Sequence, residues 1–293
     1  MDMNINPGVY DGISNEDYHA GPGISKSGLD LISRSPFHYY SQTLDPDRPP
    51  RKVRAGQLEG TLAHCAILEP DEFSKRYVVI PEGAPRRPTE AQLNAKKPSE
   101  ETVAAIAYWN NFNEENAGKT VITLDQYLTA WEQSNSVRNI PDVKELLSAG
   151  VAEQSAYWFD ESGVLCRCRP DWVHPVGKDS VILVDVKTYS SADPQEFCRQ
   201  VARKRYHVQD SFYSDGFAAA SGKKVIAFVF VTVETEWPYA ASASMLDDEG
   251  RELGRALYRS DVAQYAKCVN ENSWPGYSTA IELIELPRWC FKD

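Results

Sequence analysis

What this 293-residue chain lacks narrows its class before any motif is considered. No apolar run approaches the ~20 residues a membrane-spanning helix requires, and none is expected to enter a bilayer. The opening stretch, Met1 to Gly8, has neither the basic region nor the apolar core of a secretory signal, so a cytoplasmic protein is expected. There is no internal repeat and no low-complexity tract. Cys-x-x-Cys spacing is absent among the six cysteines (Cys65, Cys166, Cys168, Cys198, Cys268 and Cys290), which argues against a zinc or iron–sulfur site. All six fall within apolar patterns and read as buried free thiols. Positive charge is also short: 31 Lys and Arg face 42 Asp and Glu, a net charge of −11. That balance counts against a broad basic surface for nucleic acid. It leaves room for a local basic cleft around an acidic site.

What is present concentrates between Arg167 and Lys187. At the two-residue period of a strand, Leu165, Arg167, Arg169 and Asp171 share one face. In the following run, Val181, Leu183, Asp185 and Lys187 share a face, while Ile182, Val184 and Val186 share the other. A turn-rich connector, Pro175 to Ser180, separates the runs and predicts an antiparallel hairpin. Such pairing crowds two carboxylates and a lysine at one end. Asp185 and Lys187 as a simple salt-bridged pair is one reading of that arrangement. The other is a divalent metal between the two acids, because close carboxylates repel unless a cation separates them.

Taken in order, the chain predicts an arm over residues 1–23 with one turn of order, followed by a short amphipathic helix after Ile24, which Ser25 or Ser27 caps and Ser35-Pro36 breaks. The same serines beside Lys26 and Arg34 are equally suited to a phosphate. Residues 45–54 read as a Pro- and Arg-rich loop. A helix is expected over Gln57 to Leu68, with His64 midway, and a strand over Tyr77 to Ile80. Residues 81–150 read as a helical insertion: a polar loop, helices at Glu100 to Asn116, Leu124 to Asn135 and Asp142 to Leu147, and a strand at Thr120 to Ile122. A strand over Ala152 to Phe159 carries Glu153 at its start. Asp193 with Pro194 forms a strong helix start, and the basic cluster Arg203-Lys204-Arg205 follows. A second helix places Gln209 and Tyr213 on one face, four residues apart. Lys224 to Glu234 reads as a fully buried strand, followed by an edge strand near Ala240 to Leu246 and a long helix from about Asp247 to Asn270. The sum is an α/β layer fold.

The ordered set His64, Glu153, Pro170-Asp171, Asp185-Val186-Lys187 and Gln209-x-x-x-Tyr213 resembles the PD-(D/E)XK nuclease superfamily. It is most similar to the RecE-type (exonuclease VIII) branch, with the extended motif of RecB-type domains. The likeness takes in the serine pattern from Ser25 to Pro36, Gly60-x-x-x-His64 and the Leu-Pro-Arg-Trp sequence ending at Trp289, and so spans nearly the whole chain.

The resemblance implies a single nuclease domain over residues 1–293, an α/β (α+β) fold whose central mixed sheet is flanked by helices. It implies a restriction-endonuclease-like core, mainly residues 151–293, with a helical part on its amino-terminal side. It implies that His64, Asp171, Asp185 and the Val186 carbonyl hold Mg²⁺, or Mn²⁺. Lys187 would orient the attacking water and stabilise charge on the phosphate, Gln209 and Tyr213 would position the phosphate or the water, and Glu153 would be an accessory acid. The implied activity is 5′→3′ exonucleolytic degradation of linear double-stranded DNA for recombination by single-strand annealing, as in phage or prophage systems. Homo-oligomeric rings around DNA and an annealing-protein partner are implied with it. Ser25, Lys26, Ser27, Arg34, Arg203, Lys204 and Arg205 are the candidate DNA contacts; solvated surface charge is the alternative for the basic ones. An endonuclease or flap nuclease of the same superfamily, or a non-catalytic DNA-binding module, are the competing functions.

Overall fold

The structure is a computed structural model that describes residues 5–50 and 56–291. Residues 51–54 of the expected Pro- and Arg-rich loop lie outside the described residues. The first strand and helix are β1 (Gly8–Tyr10) and α1 (Asn15–Ala20), the latter capped by Ser14. Next come α2 (Lys26–Arg34) and α3 (Pro36–Tyr39), divided where Pro36 removes a backbone donor, and a π-turn over Tyr40–Leu44. Then follow α4 (Gln57–Leu68), α5 (Pro70–Arg76), β2 (Tyr77–Val79), α6 (Glu90–Leu93), α7 (Glu100–Glu115), β3 (Thr120–Ile122), α8 (Leu124–Arg138) and α9 (Pro141–Leu146). The remaining elements are β4 (Val151–Ala152), β5 (Ser155–Phe159), β6 (Leu165–Cys168), β7 (Trp172–Val176), β8 (Ser180–Tyr189), α10 (Pro194–Arg203), α11 (Tyr206–Ser221), β9 (Lys224–Glu234), β10 (Ala241–Ser244) and α12 (Asp248–Glu271).

The central sheet has the order β10-β9-β8-β7-β4 and is mixed: β8 runs parallel to β9 and antiparallel to β7. Two consecutive helices, α10 and α11, make the crossover that a parallel pair needs. Because β8 alternates strictly, it feeds two different cores. Val181 and Leu183 meet Phe197, Phe212, Phe217, Phe228 and Phe230 on the α10–α11 side. Val184 and Val186 meet Ala63 and Ile67 of α4, Val137 of α8 and Val143 of α9 on the other. Burying both faces of the central strand is what fixes its register, since a one-residue slip would exchange the faces.

The structure corrects several expectations. The hairpin is β7–β8, with Trp172 opposite Val184 and the turn at Gly177 (φ +65°). Leu165–Cys168 belongs instead to a separate three-stranded sheet, β1-β5-β6. Pro170 cannot donate to a ladder, so the chain leaves β6 before Asp171, and Leu165, Arg167, Arg169 and Asp171 do not share one strand face. The expected strand over Ala152 to Phe159 is broken at Glu153, whose φ of +54° turns the chain between the two sheets. The amino-terminal arm is more ordered than one turn: β1 pairs with β5, and the Arg167 guanidinium gathers the carbonyls of Tyr18, His19, Gly21 and Pro22. Cys198 and Cys290 are exposed, unlike the other four cysteines, because they sit on an outward helix face and in the terminal turn. In β9 only Phe228–Val233 is buried; the strand starts at the open end of the sheet beside a register shift in β8.

The long helix α12 lies against α11 so closely that a Cβ added at Gly254 would fall 2.0 Å from the His207 carbonyl oxygen and 2.9 Å from Ser211 Oγ. A backbone atom cannot yield as a flexible side chain can. Gly254→Ala should therefore destabilise the protein by about 3 kcal/mol or more, the upper range for overpacking. A urea melt checks this, and an unchanged midpoint would mean the two helices are less tightly apposed than described.

Candidate metal centre and catalytic cluster

Alternation along β8 puts Asp185 and Lys187 on the side of the sheet that faces α10 and α11. Asp185 is 2% exposed, and one of its oxygens forms an ion pair with the Lys187 ammonium. Its other oxygen accepts from Gln209 Nε2 at 2.5 Å. Gln209 is placed there by the first turn of α11. The Tyr206 ring, at the start of the same helix, lies 4.7 Å from the Lys187 ammonium. Burial works against the lysine's charge, but Asp185 and Asp171 outweigh it and hold the Lys187 pKa above its ordinary value. Lys187 is thus held in its charged form beside Asp185.

Asp171 enters from the other side of the hairpin. It precedes β7 directly, and the pairing of Trp172 with Val184 carries it alongside the Asp185 end of β8. Its Oδ2 accepts from the Val186 amide at 2.7 Å and lies 3.6 Å from Nδ1 of His64, which α4 supplies. The turn at Glu153, whose amide donates to the Asp171 carbonyl at 3.1 Å, brings a second carboxylate to the same place. One ligand atom each from His64, Glu153 and Asp171 lies within 4.8 Å of the others.

This group is short of positive charge. Burial, and then the neighbouring Asp171, push the Glu153 carboxyl up to about 8. Burial, and then Asp185, push Asp171 up to about 6. Two carboxyls and an imidazole converging in that state suit a divalent cation: oxygen donors for a hard ion, with a nitrogen that Mn²⁺ tolerates better than Mg²⁺. The donor set therefore fits a metal. Asp185 stands beside this trio, its oxygens held by Lys187 and Gln209, and Val186 touches it through its amide.

The other sequence candidates divide. Tyr213 packs its ring near Phe212 and Phe228, and burial, Tyr18 and Asp185 hold its hydroxyl proton well above the ordinary range. Ser25 and Ser27 hydroxyls lie 3.0 Å apart at the start of α2. Lys26 bonds Asp30 and the Lys204 carbonyl, and its ammonium is 5.5 Å from the same Tyr206 ring that contacts Lys187. Arg205 is not solvated surface charge: it pairs with Asp30 and Asp261 and ties α2 and α12 to the start of α11. Arg34 donates to the Tyr277 hydroxyl, while Arg203 and Lys204 are exposed. Two supporting residues escaped the sequence reading. Arg169 donates to Ser155 Oγ and the Ile13 carbonyl and offsets the charge of Glu153; its signal was an Arg directly before Pro-Asp. Tyr206 had no signal beyond its proximity to the basic cluster.

Fold and cluster together define a restriction-endonuclease-like α/β protein of the PD-(D/E)XK kind. The chain belongs to the family described as a PDDEXK-like domain of unknown function (DUF3799), whose model matches residues 25–287. No curated protein matches the sequence. Among solved structures, it is similar to a "putative exonuclease" from Eubacterium rectale, with a TM-score of 0.56, 10% identity, and coverage of 95% of this chain and 96% of that one. At that identity the likeness speaks for the fold. A second match, SSO0001, has a TM-score of 0.27 at 13% identity, over 54% of this chain and 69% of that one, and carries no argument. Among the described residues, no helix is long and apolar enough to cross a membrane.

Raised carboxyl pKa values have a stability consequence. Glu153 moves from 4.5 to about 8 and Asp171 from 3.8 to about 6, so the folded chain keeps protons that the unfolded chain releases. Metal-free stability therefore declines as pH rises from about 4 towards 8. A cation replaces those protons, so millimolar Mg²⁺ or Mn²⁺ should raise the Tm more at pH 8 than at pH 5, and Asp171→Asn should remove the increment. A cation effect of equal size at both pH values, or its persistence in Asp171→Asn, would place the ion elsewhere.

Proposed function

We propose that the protein is a metal-dependent deoxyribonuclease, and more narrowly a 5′→3′ exonuclease that degrades linear double-stranded DNA. The observation that carries this reading is the meeting of two groups at one end of β8: the Asp185–Lys187–Gln209 chain of contacts, and the His64–Glu153–Asp171 trio beside it. A structural salt bridge would account for the first group and leave the second unexplained.

In this reading His64, Glu153 and Asp171 would hold the ion, Mg²⁺ or Mn²⁺; the family likeness adds Asp185 and the Val186 carbonyl to that set, and Asp185 would first have to give up one of its contacts to Lys187 and Gln209. When bound, such a cation would supply a water of lowered pKa and screening of the phosphate charge. Lys187 keeps its proton, orients the water and stabilises the charge that develops on the phosphate. Gln209 fixes Asp185, and through it the lysine. Tyr213 borders the cluster with a hydroxyl that donates rather than ionises. Ser25, Ser27 and Lys26, next to Tyr206 and hence to Lys187, form the candidate seat for a 5′ phosphate, with Arg34, Arg203 and Lys204 along the strand backbone; Arg205 holds the framework behind them. A ring of several copies around DNA, and a single-strand annealing protein as partner in recombination, complete the proposal on the strength of the family likeness.

Lys187→Ala and Asp185→Ala should each lower cation-dependent degradation of linear duplex by about 100-fold or more, the usual scale for losing a group that stabilises transition-state charge. Duplexes labelled at the 5′ or the 3′ end report polarity. A covalently closed circle cut as fast as the linear form would replace the exonuclease by an endonuclease. Undiminished degradation by both variants would remove the catalytic assignment altogether.

A further inference from the structure

The turn between β9 and β10 carries Trp237, which is 83% exposed, more than any other tryptophan among the described residues. Exposed apolar rings are ordinarily costly and unanchored, but this one stands on a fixed base. The Glu234 carbonyl accepts from Gln133 Nε2 of α8 at 2.8 Å, and the Glu234 carboxylate accepts from the Ala192 amide at 3.1 Å. The Thr235 amide donates to the Tyr189 carbonyl at 2.9 Å, and Tyr239 donates its amide to the Glu236 carbonyl at 2.8 Å. The Tyr239 hydroxyl also meets Thr129 Oγ1 of α8 at 3.3 Å. Both sides of the tryptophan are thus pinned while its ring is left bare.

Its position in the sheet is informative. Lys187 lies opposite Thr232 in the parallel β8–β9 ladder, and Tyr189 opposite Glu234. At the strand rise of about 3.3 Å per residue, the start of the turn lies about 10 Å beyond Lys187, on the end of the sheet that bears the catalytic cluster. A strand entering the cluster crosses that distance in a few nucleotides. The turn itself has no basic residue from Glu234 to Asp247, and Glu236 beside the tryptophan repels phosphate. A turn with no cation and with Glu236 beside the ring suits a base better than the phosphate backbone.

We propose that Trp237 is a stacking platform for an unpaired nucleobase of the strand engaged at the cluster. The inference rests on the nuclease reading and adds to it a preference for single-stranded character beside the site. Base–aromatic stacking tolerates any sequence, because every base has a π-face. It also differs from phosphate contact in its response to salt: phosphate contacts release counterions and steepen the salt dependence, whereas stacking leaves that slope unchanged.

The test is binding of a fluorescent single-stranded oligonucleotide to full-length protein in EDTA, over a range of salt, using wild type, Trp237→Ala and Trp237→Phe, with an all-abasic oligonucleotide as the control ligand. Trp237→Ala should weaken binding of the normal strand roughly tenfold at an unchanged salt slope, Trp237→Phe should recover most of the loss, and all three proteins should bind the abasic strand alike. The ring is exposed, so Tm should be the same in all three. Equal affinity of wild type and Trp237→Ala for the normal strand, or a loss accompanied by a shallower salt slope, would overturn the stacking assignment while leaving cation-dependent DNA degradation intact. A wild-type protein that neither binds nor degrades DNA would instead overturn the nuclease reading and this inference with it.

Discussion

Three carboxylates crowd one end of β8, Asp185 buried and Asp171 and Glu153 half-buried, and the rest of the site is built around that crowding. Asp171, Asp185 and Glu153 come from three different segments, and each raises the energy of ionising another. Lys187 balances one negative charge, through Asp185. Asp171 has in addition the Val186 amide, a neighbouring imidazole and a share of the Lys187 charge, and Glu153 has Arg169, yet burial and the other acids outweigh these. Interiors do not collect such groups without compensation, because an unpaired buried charge is expensive. A divalent cation held there would supply it, and the surrounding fold keeps the acids together in the arrangement such an ion would need.

That arrangement draws on every layer. The two-sided burial of β8 sets which residues face α11 and so where Asp185 and Lys187 point. α4 packs on the opposite face and contributes His64, and α8 packs on α4 through a Ser134 hydroxyl bonded to the Ala66 carbonyl. The segment 81–150 is therefore not merely inserted ahead of the sheet, since its last two helices cover the core behind the site. On the other flank, Arg167 and Arg169 bind carbonyls of the amino-terminal segment, so the arm is tied to the stretch of chain that leads into Asp171. Arg205, with a positive φ at the start of α11, fixes the helix that delivers Gln209.

Much of this was legible in the sequence where a local rule decides the outcome. The helix over Gln57–Leu68, the Asp193 cap with Pro194, the strand at Thr120–Ile122 and the two faces of β8 all follow from periodicity and capping, and the structure has them at those residues. Residues brought together by tertiary turns were not legible. Nothing about Glu153 announces a left-handed backbone, since that conformation usually signals glycine, so its strand looked continuous. Pro170 belongs to the Pro-Asp pair of the sequence pattern, but its missing amide also ends β6 and leaves Asp171 to accept from the Val186 amide. The roles of Arg169 and Tyr206 depend on partners far away in sequence, and composition carries no trace of such pairings.

A metal centre formed by His64, Glu153 and Asp171 beside Lys187 is what the proposed chemistry requires. Anomalous diffraction from crystals grown with Mn²⁺ tests it most directly. A strong peak is expected within bonding distance of side chains from those three residues, next to Asp185 and absent in Asp171→Asn crystals. Well-ordered density for the three side chains with no peak between them, or Mn²⁺ found only on other carboxylates, would contradict it.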